Sequence, residues 1–314
     1  MSVLKKSILI VLLIFCFKSL SLQAIAVSKI EGDKKVVLIT GASSGIGLST
    51  AKYLAKKDYI VYGAVRNLSS LDTNIKNLHF ETLDVTDTQS IQKTVSKIIS
   101  KEGRIDVLIN NAGYALGGSL ETLSMDDIKN QMDVNFFGAI RMCQEVLPHM
   151  RKNQRGHIIN ISSEQGVYGL PYGSLYSASK AALESVSESL SIELLPWNIK
   201  VSIVEPGQVA TNFVLKMGSK KLKDNPYQKI CDFMESSHNK ITQKEKALPP
   251  YQKPDEIAAF LYDIMNVTDP QLRYQTNKLS KGIVSMKLND ISGEDYFKKM
   301  TIMIQDFQKR LINK

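Results

Sequence analysis

The sequence predicts an α/β fold: one doubly wound parallel sheet with helices on both faces. Three observations carry that prediction. Short β-rich runs alternate with amphipathic stretches from Lys34 onward, most of those runs are apolar without interruption, and the first ends in a glycine-rich turn. An uninterrupted apolar run is what a strand buried on both sides needs.

The strands are expected at Val36–Ile39, Ile60–Val65, Leu78–Leu83, Val107–Ile109, His157–Ile161 and Val201–Val204. A helical period recurs between them over Leu48–Lys57, Asp87–Lys101, Asp126–Met150 and Tyr176–Leu195. Right-handed crossovers then wind these units into a single layer. After Thr211 the regularity drops. Lys216–Leu248 is charged, a further helix is expected at Pro254–Met265, and the tail shows no clear period. The sequence therefore divides into an amino-terminal segment at 1–26, a sheet-and-helix domain at 34–270 and a carboxy-terminal extension at 271–314, with the irregular part reading as a cover.

Hydrophobic residues make up 43% of the 314 and charged residues 23%, which excludes a disordered chain. Lys plus Arg is 40 against 31 Asp plus Glu, a net charge of +9 spread over the chain. That distribution suits anionic ligands or a membrane surface better than nucleic acid. Cys16, Cys143 and Cys231 cannot build a disulfide framework, and His79, His149, His157 and His238 lack ligand spacing, so no metal is expected. Lys5 and Lys6 precede an apolar run at Ile8–Phe17, with small residues at Ala24 and Ala26, the order of a secretory signal peptide. Reading through Lys18 gives a signal anchor instead, since the run then approaches the roughly 20 residues a bilayer requires. Either reading implies a membrane-associated or exported protein; a buried amino-terminal helix in a cytoplasmic protein is the alternative.

The first strand runs into Thr40, Gly41, Ala42, Ser43, Ser44, Gly45, Ile46 and Gly47 and then a helix. Such glycines let the backbone approach a pyrophosphate, whose charge faces the free N–H groups and positive dipole of the helix start. The spacing differs from the common Gly-x-Gly-x-x-Gly fingerprint, so the position between strand and helix carries the argument. At the end of the second strand, Val65-Arg66 stands where an acidic residue would hold the ribose of NAD. Arg66, with Ser43, would instead attract a 2′-phosphate, which favours NADP(H) over NAD(H); the plain alternative is a solvated loop arginine. Asp84 can accept from the adenine amino group. Asn110, Asn111, Ala112 and Gly113 end the fourth strand on the adenosine side, and Pro206, Gly207, Val209 and Thr211 end the sixth, where they could hold the nicotinamide carboxamide.

Tyr176 and Lys180 share a helix face, so the ammonium can stabilise a phenolate. The same spacing at Tyr53/Lys57 and Tyr274/Lys278 reads as surface pairs. Ser163, at the end of the preceding strand, sets Tyr176 apart. Thr40–Gly47, Asn110–Gly113, Asn135, Ser163, Tyr176, Lys180 and Pro206–Thr211 together resemble the short-chain dehydrogenase/reductase family over about Lys34–Met265. The resemblance implies a Rossmann-type sheet, a nicotinamide cofactor, and a homodimer or homotetramer assembled through the helices carrying Asn135 and Tyr176. It also implies roles: Tyr176 as acid/base, Ser163 on the substrate oxygen, Lys180 on the nicotinamide ribose, and Asn135 holding a water next to Lys180. Ser162, adjacent to Ser163, should face the opposite side of the strand end.

The segment from Leu272 to Tyr296 is similar to the 17β-hydroxysteroid and retinol dehydrogenase branch, which implies a lipophilic alcohol or ketone, steroid- or retinoid-like. Val167, Leu170, Tyr172, Phe213, Leu215 and Met217 are the candidate lining residues, although core packing is the commoner fate of such side chains. The competing expectations are a reductase of another carbonyl and a catalytically silent NADP-binding regulatory protein.

Overall fold

A computed structural model describes residues 34–312, apart from 70, 72–73, 214, 219–224, 234–235 and 237–250. The expected signal segment at 1–26 and much of the charged cover at 216–248 lie outside the described residues. The strands are β1 (Val36–Thr40), β2 (Ile60–Val65), β3 (Leu78–Thr82), β4 (Val107–Asn110), β5 (Ala115–Gly117), β6 (Gly156–Ile161), β7 (Ile199–Glu205), β8 (Leu215–Met217) and β9 (Arg273–Gln275). The helices are α1 (Gly45–Lys56), α2 (Thr88–Glu102), α3 (Met125–Met132), α4 (Gly138–Lys152), α5 (Ser174–Glu193), α6 (Pro254–Asn266), α7 (Lys278–Asn289) and α8 (Glu294–Ile312).

Side chains of β1 alternate between two cores, as a pleated strand dictates. Val36 and Leu38 join Leu108, Ile158 and the inner faces of α2 and α4, including Val95, Ile98, Met142 and Val146. Val37 and Ile39 join Ile109, Ile159 and Val204 under α1 and α6, where Leu54, Ile257 and Leu261 are buried. Each such aliphatic contributes about 1.5–3 kcal/mol on burial, so the sheet is held from both faces. α2 starts on an Asp87 cap that accepts from Gln89 N and stops at Gly103 in the left-handed conformation.

All strand pairs of the seven-stranded sheet are parallel, in the order β3-β2-β1-β4-β6-β7-β9. The order reverses between β1 and β4, which places the carboxyl ends of these two strands at a topological switch point, the usual ligand crevice of an open α/β sheet. The expected strands match closely because most are apolar runs; β3, with His79, Glu81 and Thr82, is the exception. Three features depart from expectation. The helix expected over Asp126–Met150 is interrupted by a π-helical turn at Asp133–Phe137. The tail without a period holds α7 and α8. It also supplies β9, which pairs with β7 through Ile203↔Arg273, Val204↔Tyr274 and Glu205↔Gln275 and so carries the sheet past residue 270. A separate two-stranded piece pairs β5 with β8, tying the chain that follows Thr211 to the loop after β4. Among the described residues, no helix is long and apolar enough to cross a membrane.

Candidate active site

The glycine turn sits at the switch point and is braced by its neighbour. Gly41 and Gly45 have φ of +67° and +53°, and a Cβ on Gly41 would lie 2.8 Å from Ala112 Cα. Asn111 Nδ2 donates to Thr40 O at 2.9 Å and Gly41 O at 3.1 Å, while Thr40 Oγ1 accepts from Asn111 N and Ala112 N at 3.0 and 3.1 Å. The Asn111 side chain thus holds the turn in shape. Ser44 caps α1 without a side-chain hydrogen bond, and the first turn of α1 carries no acidic residue. Its positive end is left to backbone N–H groups, which fits the pyrophosphate of a dinucleotide. Ser43 and Arg66 are exposed beside the turn and after β2. Asp84 follows the end of β3 and accepts from Thr86 N and Thr86 Oγ1 on one oxygen, leaving the other for an adenine. Thr211 lies over the turn, 3.1 Å from where a Gly45 Cβ would stand. Val209 bridges to Gln252.

Ser163, Tyr176 and Lys180 come from two elements, the end of β6 and α5. Ser163 follows β6 and its Oγ accepts from Gln165 N at 3.2 Å. Ser162 points the other way, as strand alternation requires, and donates to Glu184 Oε1 at 2.6 Å. Tyr176 and Lys180 stand one turn apart on α5. Burial pushes the Tyr176 phenol up to about 12; its hydrogen bond with Ser163 pulls it down and the charge of Glu164 raises it. The expectation that Lys180 makes this phenol acidic is not met in the protein alone: the Lys180 ammonium lies 5.8 Å from the Tyr176 ring centre, and burial dominates. Burial also lowers Lys180 to about 8, with Glu184 opposing, and Lys180 Nζ donates to Ile161 O at 2.7 Å. Phe213 meets Tyr176 edge-on with centroids 5.9 Å apart. Val167 and Tyr172 lie half-buried in the loop between β6 and α5. Tyr172 has φ +61°, a conformation held by Gly118 N donating to Tyr172 O at 2.8 Å.

Asn135 occupies the π-turn, where the widened helix turns its side chain inward. Its Oδ1 accepts from Tyr114 N at 3.1 Å, and Nδ2 donates to Tyr114 O at 3.0 Å and Ser179 Oγ at 3.1 Å. Both amide hydrogens are therefore committed to protein, and one lone pair of Oδ1 remains for a water near Lys180. Gly113 keeps this corner open, since its Cβ would lie 3.2 Å from Asn135 Oδ1 and 3.7 Å from Lys180 Nζ.

Five charged residues behind the site were given no role in the sequence. Arg273 of β9 bonds Glu184 at 3.2 Å, Glu188 at 2.5 Å and Glu205 at 3.3 Å. Glu164 follows Ser163 directly and is buried. Glu184 was within reach of the helical spacing argument, four residues after Lys180; Glu205 and Arg273 meet it only through the sheet. Among the described residues no group of three or more His, Cys, Asp or Glu could hold a metal ion.

A backbone cradle for a dinucleotide, opening onto a serine, a tyrosine and a lysine, defines an oxidoreductase site of the nicotinamide-dependent kind. The chain belongs to the short-chain dehydrogenase family, whose profile matches residues 35–222. A 3-ketodihydrosphingosine reductase of Bacteroides thetaiotaomicron is 42% identical over 245 residues, which is 78% of this chain and 88% of the relative. Human retinol dehydrogenase 8 is 36% identical over 83% of this chain and 88% of its own. Human 17-beta-hydroxysteroid dehydrogenase type 1 is 35% identical over 85% of each. Among solved structures, ElxO with NADP bound is 30% identical with a TM-score of 0.64, covering 79% of this chain and 99% of that one.

Proposed function

We propose that the protein is an NADP(H)-dependent oxidoreductase that interconverts a carbonyl and an alcohol on a lipophilic substrate, and that it favours reduction. The observation that carries this reading is the meeting of buried Ser163 at the end of β6 with buried Lys180 on α5, whose Nζ donates to Ile161 O at 2.7 Å one helical turn from Tyr176. When bound, the nicotinamide supplies a hydride to the carbonyl carbon. Ser163 hydrogen-bonds the substrate oxygen and fixes it against Tyr176. Tyr176 gives that oxygen its phenolic proton as negative charge builds there, and Lys180 stabilises the phenolate left behind. At neutral pH the protein alone holds Tyr176 protonated and Lys180 charged, the state a reduction needs at its start. Asn135 fixes the amino end of α5 through Ser179 and offers its remaining lone pair to a water for reprotonation.

NADP(H) is favoured over NAD(H) by Arg66 and by the lack of a carboxylate at the end of β2; the bound NADP of a solved relative supports it. The substrate reading rests on Phe213 against the Tyr176 ring, on half-buried Val167 and Tyr172 in the loop between Ser163 and α5, and on relatives named for a retinoid, a steroid and a keto-lipid. Exposed Phe137 at the end of the π-turn and exposed Ile192 and Leu195 around the end of α5 suit a homodimer or homotetramer built on these helices. The amino-terminal segment would bring the enzyme to a membrane where such substrates dissolve. The test is coenzyme oxidation with a panel of lipophilic ketones, run with NADPH and NADH on wild type and Arg66→Ala. Wild type is expected to prefer NADPH and Arg66→Ala to lose most of that preference. Tight NADPH binding with no ketone turned over would favour a regulatory NADP-binding protein.

A further inference from the structure

Three successive residues, Asn160 and Ile161 at the end of β6 and Ser162 just after it, are hydrogen-bonded to one face of α5. Asn160 Nδ2 donates to Ser187 Oγ at 2.8 Å, Ile161 O accepts from Lys180 Nζ at 2.7 Å, and Ser162 Oγ donates to Glu184 Oε1 at 2.6 Å. Positions 180, 184 and 187 fall on a single stripe of the helix. Asn160, Ser162, Lys180, Glu184 and Ser187 are all buried, so water does not compete for these bonds. The bond nearest Ser163 is braced from two sides. Glu184 Oε2 accepts from Arg273 Nη2 at 3.2 Å, and Arg273 is itself held by Glu188 and Glu205. A Cβ on Gly166 would overlap Glu184 Oε1 and would lie 2.7 Å from Ser162 Oγ, so the 3-10 turn Glu164–Gly166 packs directly onto this bond. The same turn holds Ser163: Gln165 N donates to its Oγ at 3.2 Å and Gly166 N to its carbonyl at 2.8 Å.

Ser163 and Tyr176 belong to different elements, joined by a loop with glycines at 166, 169 and 173. Glycines leave such a loop free to take many shapes, so the separation of the two side chains is set by bonds between the elements. Ser162 carries those bonds on both its main chain and its side chain. Its N–H donates to Val204 O of β7 at 2.8 Å, and its hydroxyl is taken by Glu184. With both fixed, the direction of the next side chain, which alternates to the opposite side, is fixed as well. We propose that Glu184 is a positioning residue: through Ser162 it sets where the Ser163 hydroxyl stands relative to Tyr176, and Arg273 of β9 orients its carboxyl. This rests on the reductase reading above and adds to it a group that touches neither substrate nor coenzyme. The leverage is large, because shifting a reacting group by about 1 Å can cost on the order of a hundredfold in rate.

The test is single-turnover reduction of a lipophilic ketone by the full chain with NADPH, on the acid side of the Lys180 titration so that Lys180 stays charged throughout. Ser162→Ala removes the bond to Glu184 without altering any charge. It is expected to slow hydride transfer roughly tenfold to a hundredfold, with NADPH affinity near that of wild type. Ser162→Thr restores the hydroxyl and should recover most of the rate. Glu184→Ala should be slowed like Ser162→Ala, and the double variant should be no slower than the slower single, because both changes break one bond. NADPH binding and thermal melting establish that each variant is folded; if Glu184→Ala does not fold, Ser162→Ala and Ser162→Thr carry the test. A lowered melting temperature with hydride transfer at the wild-type rate in Ser162→Ala would overturn the proposal and leave Glu184 a purely structural role. Losses that add up in the double variant would overturn it equally, with the reductase reading intact. Reduction of no ketone by wild type would overturn that reading and this proposal together.

Discussion

Lys180 is subject to two opposing influences that determine when the site can work. Burial lowers its ammonium to about 8 and Glu184, one helical turn away, holds it up. Its charge is therefore complete well below pH 8 and is lost as pH rises through that value. Since the ammonium stabilises the developing Tyr176 phenolate, reduction should decline on the alkaline side with a midpoint near 8 in kcat/KM for NADPH, which reports groups of the free enzyme. Lys180→Arg keeps its charge across this range and should lack the decline, whatever its absolute rate; a decline common to both proteins would remove Lys180 from this role. At this scale the sequence was readable for the placement of Ser163, Tyr176 and Lys180, because a strand end and a helical spacing of four fix where the three side chains stand. It was not readable for Glu164. Nothing in its neighbours along the chain says that one carboxylate oxygen will end up buried against Gly207 and α7.

β9 joins the carboxy-terminal part of the chain to α5 through one arginine. Arg273 reaches Glu184 and Glu188 on α5 and Glu205 at the end of β7, so the helix that carries Tyr176 and Lys180 is fixed to the sheet edge by charge as well as by packing. Burial, with the neighbouring Glu205 charge, raises Glu184 to about 7 against an ordinary value of 4.5, while Ser162 and Arg273 work in the opposite direction. A carboxyl whose folded value is raised stabilises the fold while protonated. That contribution is full below about pH 4.5 and is lost as pH rises through about 7. Glu184→Gln does not titrate, so its melting temperature relative to wild type should climb between pH 5 and pH 8. A difference that stays constant over this range would show that the Glu184 carboxyl is not carrying the penalty. The elements themselves were unevenly legible. β2 matched its expected limits because its two-sided burial writes an unbroken apolar run. β9 did not show, because Arg273, Tyr274 and Gln275 are too few and too polar to display a period. The π-turn at Asp133–Phe137 was hidden too, since one inserted residue barely alters the apolar spacing of a long helix.

Across the whole molecule, the switch point between β1 and β4 sets the geometry on which the reaction depends. The glycine turn follows β1, Asn111 and Gly113 follow β4, Ser163 follows β6, and Gly207 and Thr211 follow β7, so one end of one sheet gathers these groups, while Tyr176 and Lys180 come to them on α5. The order of these motifs made the fold legible, while the packing of α7 on the turn after β7 was not, because Ser280 reaches Gly207 from a tail whose pattern gave no periodic signal. The account stands on Tyr176 as the proton donor within an otherwise intact cradle. The most direct measurement is single-turnover oxidation of bound NADPH by a ketone substrate in wild type and Tyr176→Phe, with NADPH affinity determined for both. The account expects near-equal NADPH affinity and hydride transfer slowed about 100- to 10,000-fold, the usual weight of a general acid. Hydride transfer at the wild-type rate in Tyr176→Phe, with NADPH equally well bound, would contradict it.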